Sequence, residues 1–249
     1  METPNPFKNI GFEDFRRLAT DRTLSKYERI GFPDSYRKGF EPVIFADILE
    51  KLPNLLGDEK CVVDIGPGSS DLTLMMIELC LKQGHGLVCI DSQEMLDLLP
   101  NEPFIDKVAA LFPNSPEMIE RYRETADVII CYSVLHYVFV DTSLFRFLDI
   151  ALSLLAPHGQ FLIGDIPNVS KRKRFFSSET GVRFHKEFMK TDEQPKVEFN
   201  RIEHDHIDDA VLMALIQRAR GQGFDAYILP QNPKLPMANR REDILIVRP

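Results

Sequence analysis

Val62-Val63-Asp64-Ile65-Gly66-Pro67-Gly68-Ser69-Ser70 is the stretch on which the fold turns. Cys61 to Ile65 is a short apolar run stopped by glycine, the pattern of a buried strand. Gly66 and Gly68 form a tight turn in which backbone can pass close to a ligand where a Cβ would clash. Ser69, Ser70 and Asp71 supply capping side chains, and Leu72, Met75, Met76, Leu79 and Cys80 follow on one helical face. A strand, a glycine turn and a helix in that order offer the free N–H groups of the helix start to a carboxylate or phosphate.

The same alternation continues downstream. Gly84 and Gly86 break the chain, and Leu87 to Ile90 reads as a second strand ending at Asp91. A third strand is weakly marked near Val108 to Phe112, and Ala126 to Cys131 is a clear fourth. Asp141 or Thr142 caps a helix whose inner face carries Leu144, Phe145, Leu148, Ala151, Leu152 and Leu155; Pro157 and Gly159 end it, and Gln160 to Ile163 is a fifth strand. Val211, Leu212, Leu215, Ile216 and Ala219 mark a helix that stops at Gly221 or Gly223. Two strand-like runs close the chain, Phe224 to Leu229 and Ile244 to Val247, joined by a proline-rich loop with no room for a crossover helix, which makes them an antiparallel pair. The predicted fold class is α/β: a Rossmann-like seven-stranded sheet, mostly parallel with a C-terminal antiparallel hairpin, with helices on both faces. Residues 1–56 read as an aromatic-rich N-terminal helical cap, with Phe40, Val43, Ile44, Ile48 and Leu52 at helical spacing. Residues 57–249 form the main domain, with an irregular, charged and aromatic insertion at 167–205 placed as a lid.

Composition bounds the partners. The chain has 249 residues, a hydrophobic fraction of 44% and a formal net charge of -8. That charge argues against nucleic acid as a partner, no apolar run is long enough for a membrane span, and Met1 to Lys8 lacks the basic and apolar order of a secretory leader. Cys61, Cys80, Cys89 and Cys131 sit in or beside apolar segments without metal spacing, as expected of free thiols in a cytoplasmic protein. Oligomeric state is not readable from the sequence.

The ligand follows from the acids around the turn. A dinucleotide fingerprint needs a third glycine where this chain has Asp71, which would repel a pyrophosphate. Asp64 before the turn suits a cationic amino group, and Asp91 ends the next strand, where an acid accepts ribose hydroxyls. S-adenosylmethionine has an ammonium, a sulfonium, a ribose and no phosphate. The segment resembles motif I of class I S-adenosylmethionine-dependent methyltransferases, acid-x-Gly-x-Gly, with Ser70 at the usual third small position. The resemblance covers about residues 57–166 and 207–249, including the terminal hairpin. It implies that Asp64, Gly66, Pro67, Gly68 and Ser69 contact the methionine part and Asp91 the ribose. It also implies that Ser92, Met95, Tyr132 and Ser133 line the adenosine. A narrower likeness, to methyltransferases of bacterial surface-polysaccharide gene clusters, some associated with capsule phosphoramidate modification, rests on three stretches. These are Tyr132-Ser133-Val134-Leu135-His136-Tyr137, Gly164-Asp165-Ile166-Pro167-Asn168 and Arg174-Phe175-Phe176-Ser177-Ser178-Glu179-Thr180-Gly181. The likeness implies O-methylation of a small polar, anionic or sugar-linked acceptor. An NAD(P)-dependent Rossmann oxidoreductase and a non-catalytic S-adenosylmethionine-binding subunit stay open as alternatives.

Methyl transfer needs an aligned nucleophile and, for a hydroxyl, a proton acceptor near the carboxyl ends of strands four and five. His136, Asp165 and His185 are the candidates; His136 also reads as a helix-start residue closing over the cofactor, and Asp165 as a loop or capping acid. In the insertion, Lys171 to Arg174 and Arg183 concentrate positive charge, so Arg172, Arg174 and Arg183, with Asn168, are the expected acceptor-binding residues. His204-Asp205-His206-Ile207-Asp208-Asp209 resembles a metallohydrolase run but lacks its last histidine. Its acids precede an apolar-faced helix, where capping explains them, and no metal site is expected.

Overall fold

A computed structural model of the chain describes residues 10–249. The start of the 1–56 cap, including Met1 to Lys8, lies outside the described residues. Four helices open the described chain: α1 (Phe12–Thr20), α2 (Lys26–Arg29), α3 (Asp34–Arg37) and α4 (Glu41–Lys51), followed by a 3-10 turn at Pro53–Leu56. The alternating part comprises β1 (Cys61–Ile65), α5 (Asp71–Gln83), β2 (Gly86–Asp91), α6 (Gln93–Leu96), β3 (Ile105–Ala109), α7 (Pro116–Arg121) and β4 (Ala126–Tyr132). It continues through α8 (Leu135–Asp141), α9 (Leu144–Leu154) and β5 (Leu155–Pro167). Helices α10 (Val169–Phe176), α11 (Glu179–Met189) and α12 (Asp209–Gly221) precede the hairpin of β6 (Asp225–Pro230) and β7 (Arg241–Val247).

The seven strands lie in the order β3-β2-β1-β4-β5-β7-β6. The first five are parallel, and β7 runs antiparallel between β5 and β6. Strand order reverses between β1 and β4, which opens a crevice at their carboxyl ends, where such sheets bind ligands. Both faces of the sheet are buried. Val63 and Ile65 face a core built with α9 and α12 (Phe147, Leu148, Leu152, Leu212, Leu215), while Val62 faces a second core with α4 and α5 (Ile44, Ile48, Met76, Ile77). The alternation is the two-residue period of a strand covered on both sides. Cys80, Cys89 and Cys131 are buried and all four thiols are free. Among the described residues, no helix is long and apolar enough to cross a membrane.

Three local expectations shift. The third strand is Ile105–Ala109, not Val108 to Phe112. It is the sheet edge, half-buried and carrying Asp106 and Lys107, so its apolar signal is weak, and Phe112 instead packs in the core. Helix α9 is capped by Ser143, whose hydroxyl accepts from the Arg146 N–H, not by Asp141 or Thr142. The insertion is irregular only in its second part, from Thr191 on; in its first part Asn168 caps α10, Ser178 caps α11, and Phe175, Phe176 and Phe184 pack edge to face between them. α10 is mostly polar, and α11 turns its aromatic stripe of Phe184 and Phe188 toward α10 and outward and not onto the sheet, so neither helix reads as part of the main core.

Candidate functional site

At the carboxyl ends of β1 and β2 the chain turns through Gly66 and Gly68, whose φ angles of 73° and 64° are left-handed and favour glycine. A Cβ at Gly66 would lie 2.7 Å from the Val134 side chain, and one at Gly68 would lie 2.9 Å from Ile30. The turn floors a cavity of about 1220 Å³, counting its open mouth. Asp64 and Asp91 reach it from β1 and β2. Asp91 accepts the Gly68 N–H (3.1 Å) and the Ser92 N–H (2.7 Å), so one carboxylate fixes the turn and the start of α6 together. Burial pushes the Asp64 carboxyl up to about 7, with Asp91 adding to the rise, and burial raises Asp91 to about 6 against those two N–H groups. Neither acid forms an ion pair among the described residues. Two desolvated acids on one wall without a cation describe a site built for a cationic, hydroxyl-bearing ligand.

The roof comes from the N-terminal helices: Phe12, Phe15, Ile30, Phe32 and Arg37 close the cavity from above. They are tied down at three places. Arg16 grips Glu94 of α6 with its Nε and Nη2 at 2.8–3.1 Å, Lys26 pairs with Asp71 at the start of α5, and Arg37 donates to Ser133 Oγ at 2.6 Å. Tyr27 also donates to Asp71 at 3.2 Å.

Beyond Tyr132 and Arg37, which lie on the walls of both, is a second cavity of about 290 Å³ at the ends of β4 and β5. Ser133 and Asp165 follow or end these strands with left-handed φ angles of 62° and 57°, an uncommon backbone for such residues and one often found at functional sites. Ser133 Oγ donates to Asp165 Oδ2 at 2.6 Å, and Arg241 donates to the Asp165 carbonyl at 2.8 Å and to Oδ2 at 3.3 Å. Gln231 donates to Asp165 Oδ1 (3.3 Å) and Asp243 Oδ1 (3.1 Å). Asp243 in turn accepts the Asp165 N–H (2.8 Å) and pairs with Lys51 at 2.6 Å. Burial alone would raise the Asp165 carboxyl, but Arg241 and Arg37 outweigh it and hold the group below its ordinary value.

Solved structures of methyltransferases have a similar fold. A SAM dependent methyltransferase from Aquifex aeolicus superposes with a TM-score of 0.54 at 11% identity, over 91% of this chain and 100% of that one. The plantazolicin methyltransferase BpumL, solved in complex with SAH, gives 0.58 at 13% identity, over 95% and 96%. The CurJ carbon methyltransferase gives 0.51 at 17% identity, over 90% and 61%. The fold is that of the class I methyltransferases. No family model matches the sequence, and no curated protein matches it by sequence.

Within the class I frame, the structure gathers most of the cofactor candidates on one wall. Asp64, Gly66, Pro67, Gly68, Asp91, Met95, Tyr132 and Ser133 all line the first cavity. Ser69 and Ser92 do not; Ser92 is buried and accepts the Met95 N–H to cap α6, and Ser70 takes the wall position beside the turn. Of the catalytic candidates, only Asp165 lines a cavity. The His136 ring packs on Tyr137 at 3.9 Å with Nδ1 buried and unpartnered. Burial, then Arg241, drive its pKa down to about 3, so it is neutral and a feeble base. His185 stands edge-on to Phe176 on α11, away from both cavities.

The insertion's cations are not gathered at the site. Arg172 pairs with Glu203 at 2.6 Å, Arg174 pairs with Asp209, Lys173 lies 3.2 Å from Glu203, and Arg183 is exposed on α11. Asn168 is buried as a cap, accepting from Ser170 and Lys171 and donating to Asp209 (2.7 Å) and Glu242 (2.5 Å). In the histidine run, Asp208 caps α12 through the Val211 N–H, and His206 Nδ1 lies 2.6 Å from the His204 carbonyl. Among the described residues no group of three or more His, Cys, Asp or Glu is placed to hold a metal. Sequence reasoning marked residues 1–56 as a cap but missed which of them roof the first cavity, Arg37 among them. The aromatic residues at 12, 15 and 32 were a local signal of buried surface, but not of which surface they cover.

Proposed function

We propose that the chain is an S-adenosylmethionine-dependent methyltransferase whose acceptor is a small polar molecule, methylated on oxygen and held in the second cavity. The observation that carries the reading is the pair of buried, cation-free carboxylates, Asp64 and Asp91, on the wall of a glycine-turn cavity. The donor set fits this cofactor. Asp64 accepts the ammonium, Asp91 accepts the ribose hydroxyls, and Met95 and Phe112 supply apolar wall for the adenine. It does not fit a pyrophosphate, which would meet Asp64 and Asp91 inside and Asp71 at the helix start. That weighs against the oxidoreductase alternative.

When bound, S-adenosylmethionine supplies a methyl group already activated on a sulfonium. The chain then aligns and protects. Phe32, Arg37 and Tyr132 line both cavities and bound the passage between them, and the apolar roof keeps water from the reacting centre. Asp165, backed by Gln231, accepts a hydrogen bond from the acceptor hydroxyl and orients its oxygen toward the methyl; held below its ordinary value it is a weak base, so the proton leaves through this hydrogen bond to water as the new bond forms. His136, neutral and off both walls, takes no part in the chemistry. His185, Arg172, Arg174 and Arg183 lie away from this acceptor site in the reading. The likeness to surface-polysaccharide methyltransferases is the pointer to a glycan setting, and it rests on the sequence stretches alone.

The test is transfer of labelled methyl from S-adenosylmethionine to a panel of sugars, sugar phosphates and hydroxy acids by the purified chain. The expected result is labelling that Asp165→Asn lowers at least roughly a hundredfold while S-adenosylhomocysteine affinity holds. Full-rate labelling by Asp165→Asn removes that residue from the chemistry, and S-adenosylhomocysteine binding without any turnover favours the non-catalytic subunit.

A further inference from the structure

Gln231 is a buried side chain with one end unanswered. It follows β6, is 5% exposed and lines the second cavity. Its Nε2 donates to Asp165 Oδ1 at 3.3 Å and to Asp243 Oδ1 at 3.1 Å. Those two contacts fix which way the amide points. Asp243 Oδ1 also accepts the Asp165 N–H, and Asp243 Oδ2 accepts from Lys51. Burial works against the Asp165 charge, but Arg241 and Arg37 outweigh it and keep the carboxylate ionised. Turned over, the amide would set its carbonyl against two carboxylate oxygens, so the nitrogen faces them and the oxygen faces away. Among the described residues no donor meets Gln231 Oε1, and the atom is not sealed in protein, so it opens onto the second cavity. A carbonyl this far from bulk water is costly until a ligand supplies its donor.

Asp165 stands beside it with the same want. Its Oδ2 accepts from Ser133 at 2.6 Å and from Arg241 at 3.3 Å, while Oδ1 accepts from Gln231 alone. A carboxylate oxygen has room for two donors. The open acceptors, Asp165 Oδ1 and Gln231 Oε1, belong to groups joined by a hydrogen bond, so they are neighbours on the cavity wall. Two adjacent acceptors call for two adjacent donors. Arg37, on the same wall, decides between amines and hydroxyls. It repels a cationic amine, whereas a hydroxyl donates to the open acceptors and can accept from the guanidinium. The rest of the wall is mainly apolar, with Phe32, Tyr36, Leu235 and Met237, a surface for the C–H face of a ring. At about 290 Å³, counting its open mouth, the cavity is at the small end of ligand pockets and holds one ring.

We propose that the second cavity selects a vicinal diol on a single ring: Asp165 takes the hydroxyl that is methylated, and Gln231 Oε1 takes the hydroxyl beside it. Gln231 sets specificity and stays out of the bond-making. The proposal rests on the acceptor reading above, which places the substrate in this cavity. Sugars and catechols share the diol chemistry.

The test uses two matched pairs of small alcohols on the full chain loaded with S-adenosylhomocysteine: cis-1,2-cyclohexanediol against cyclohexanol, and catechol against phenol. Each pair differs by one hydroxyl on an unchanged ring, and the two pairs separate a saturated, sugar-like ring from a flat aromatic one. Ligand-observed NMR titration gives the dissociation constants. The diol of at least one pair should bind at least roughly tenfold tighter than its mono-alcohol. Gln231→Met should bring that ratio to within about twofold of unity. Gln231→Asn, with the amide kept but drawn back by one methylene, should fall between. S-adenosylhomocysteine affinity, held within about twofold, checks that both variants are folded. A Gln231 that only braces Asp165 would weaken both members of a pair alike and leave the ratio unchanged, which overturns the proposal. Equal binding of diol and mono-alcohol by the unmodified chain in both pairs also overturns it and leaves the acceptor cavity standing. Binding of none of the four alcohols by a chain that holds S-adenosylhomocysteine overturns the acceptor cavity and the diol selection together.

Discussion

The chemistry of the first cavity is set by Asp64 and Asp91, whose carboxyls burial holds near 7 and 6. An acid with a raised folded value holds its proton longer in the native state than in the unfolded chain. These two groups therefore stabilise the ligand-free fold least at high pH, and their contribution falls as pH rises from about 4 to about 7. Ligand binding has the opposite sign. An ammonium on Asp64 needs the ionised carboxylate, so binding expels a proton, and affinity for S-adenosylhomocysteine should drop by up to about tenfold per pH unit below 7. Titration in buffers of different ionisation enthalpy reads the proton directly, and Asp64→Asn should flatten the profile. At Gly66, alanine would add a left-handed strain of roughly 1–2 kcal/mol to a collision with Val134 at 2.7 Å. Gly66→Ala should lower the melting temperature and remove binding, and an unshifted melt would show that the turn relaxes. These residues were legible in the sequence because their meaning is local: an acid, two glycines and a second acid on successive strands. Arg37 was not, since its partner Ser133 is 96 positions away and only the folded roof brings the two together.

Among the elements, the helices of the insertion are held by caps and by exposed ion pairs. Asn168 does three jobs at once: it caps α10 and ties it to α12 and β7 through Asp209 and Glu242. Asn168→Ala should cost about 1–3 kcal/mol, a cap plus a buried polar bridge, measured by denaturant unfolding. Arg172→Ala and Arg174→Ala remove exposed pairs and should cost under about 1 kcal/mol each. They should also leave cofactor affinity unchanged within about twofold, and a strong loss of binding would couple the insertion to the first cavity. The parallel strands and α5, α9 and α12 announced themselves by apolar periodicity because both their cores lie under them. The edge strand β3 did not, because an edge carries little apolar pattern, and α10 and α11 did not because their aromatic residues pack on each other and not under the sheet.

Across the whole molecule, the N-terminal helices and the sheet share one core, with Ile44, Ile48 and Leu52 packed in the same cluster as Val62, Leu87 and Val128. A buried ion pair reinforces the join: Lys51 of α4 meets both Asp47 and Asp243 at 2.6 Å. Lys51→Met leaves those acids uncompensated and should cost about 3–5 kcal/mol, lowering the melting temperature by about 2–4 °C per kcal/mol in a chain of this size. A shift under a degree would mean the acids take up protons at little cost. Asp243 also anchors Asp165 and Gln231, so the join that holds the roof's base shapes the acceptor cavity too. The central claim is that the glycine-turn cavity holds S-adenosylmethionine through Asp64 and Asp91. Calorimetric titration of the purified chain with S-adenosylhomocysteine at pH 8, beside Asp91→Ala, tests it most directly. The account predicts one-to-one binding that Asp91→Ala weakens by at least roughly a hundredfold, as the ribose loses its charged acceptor. No binding by the unmodified chain, or equal affinity in Asp91→Ala, would contradict it.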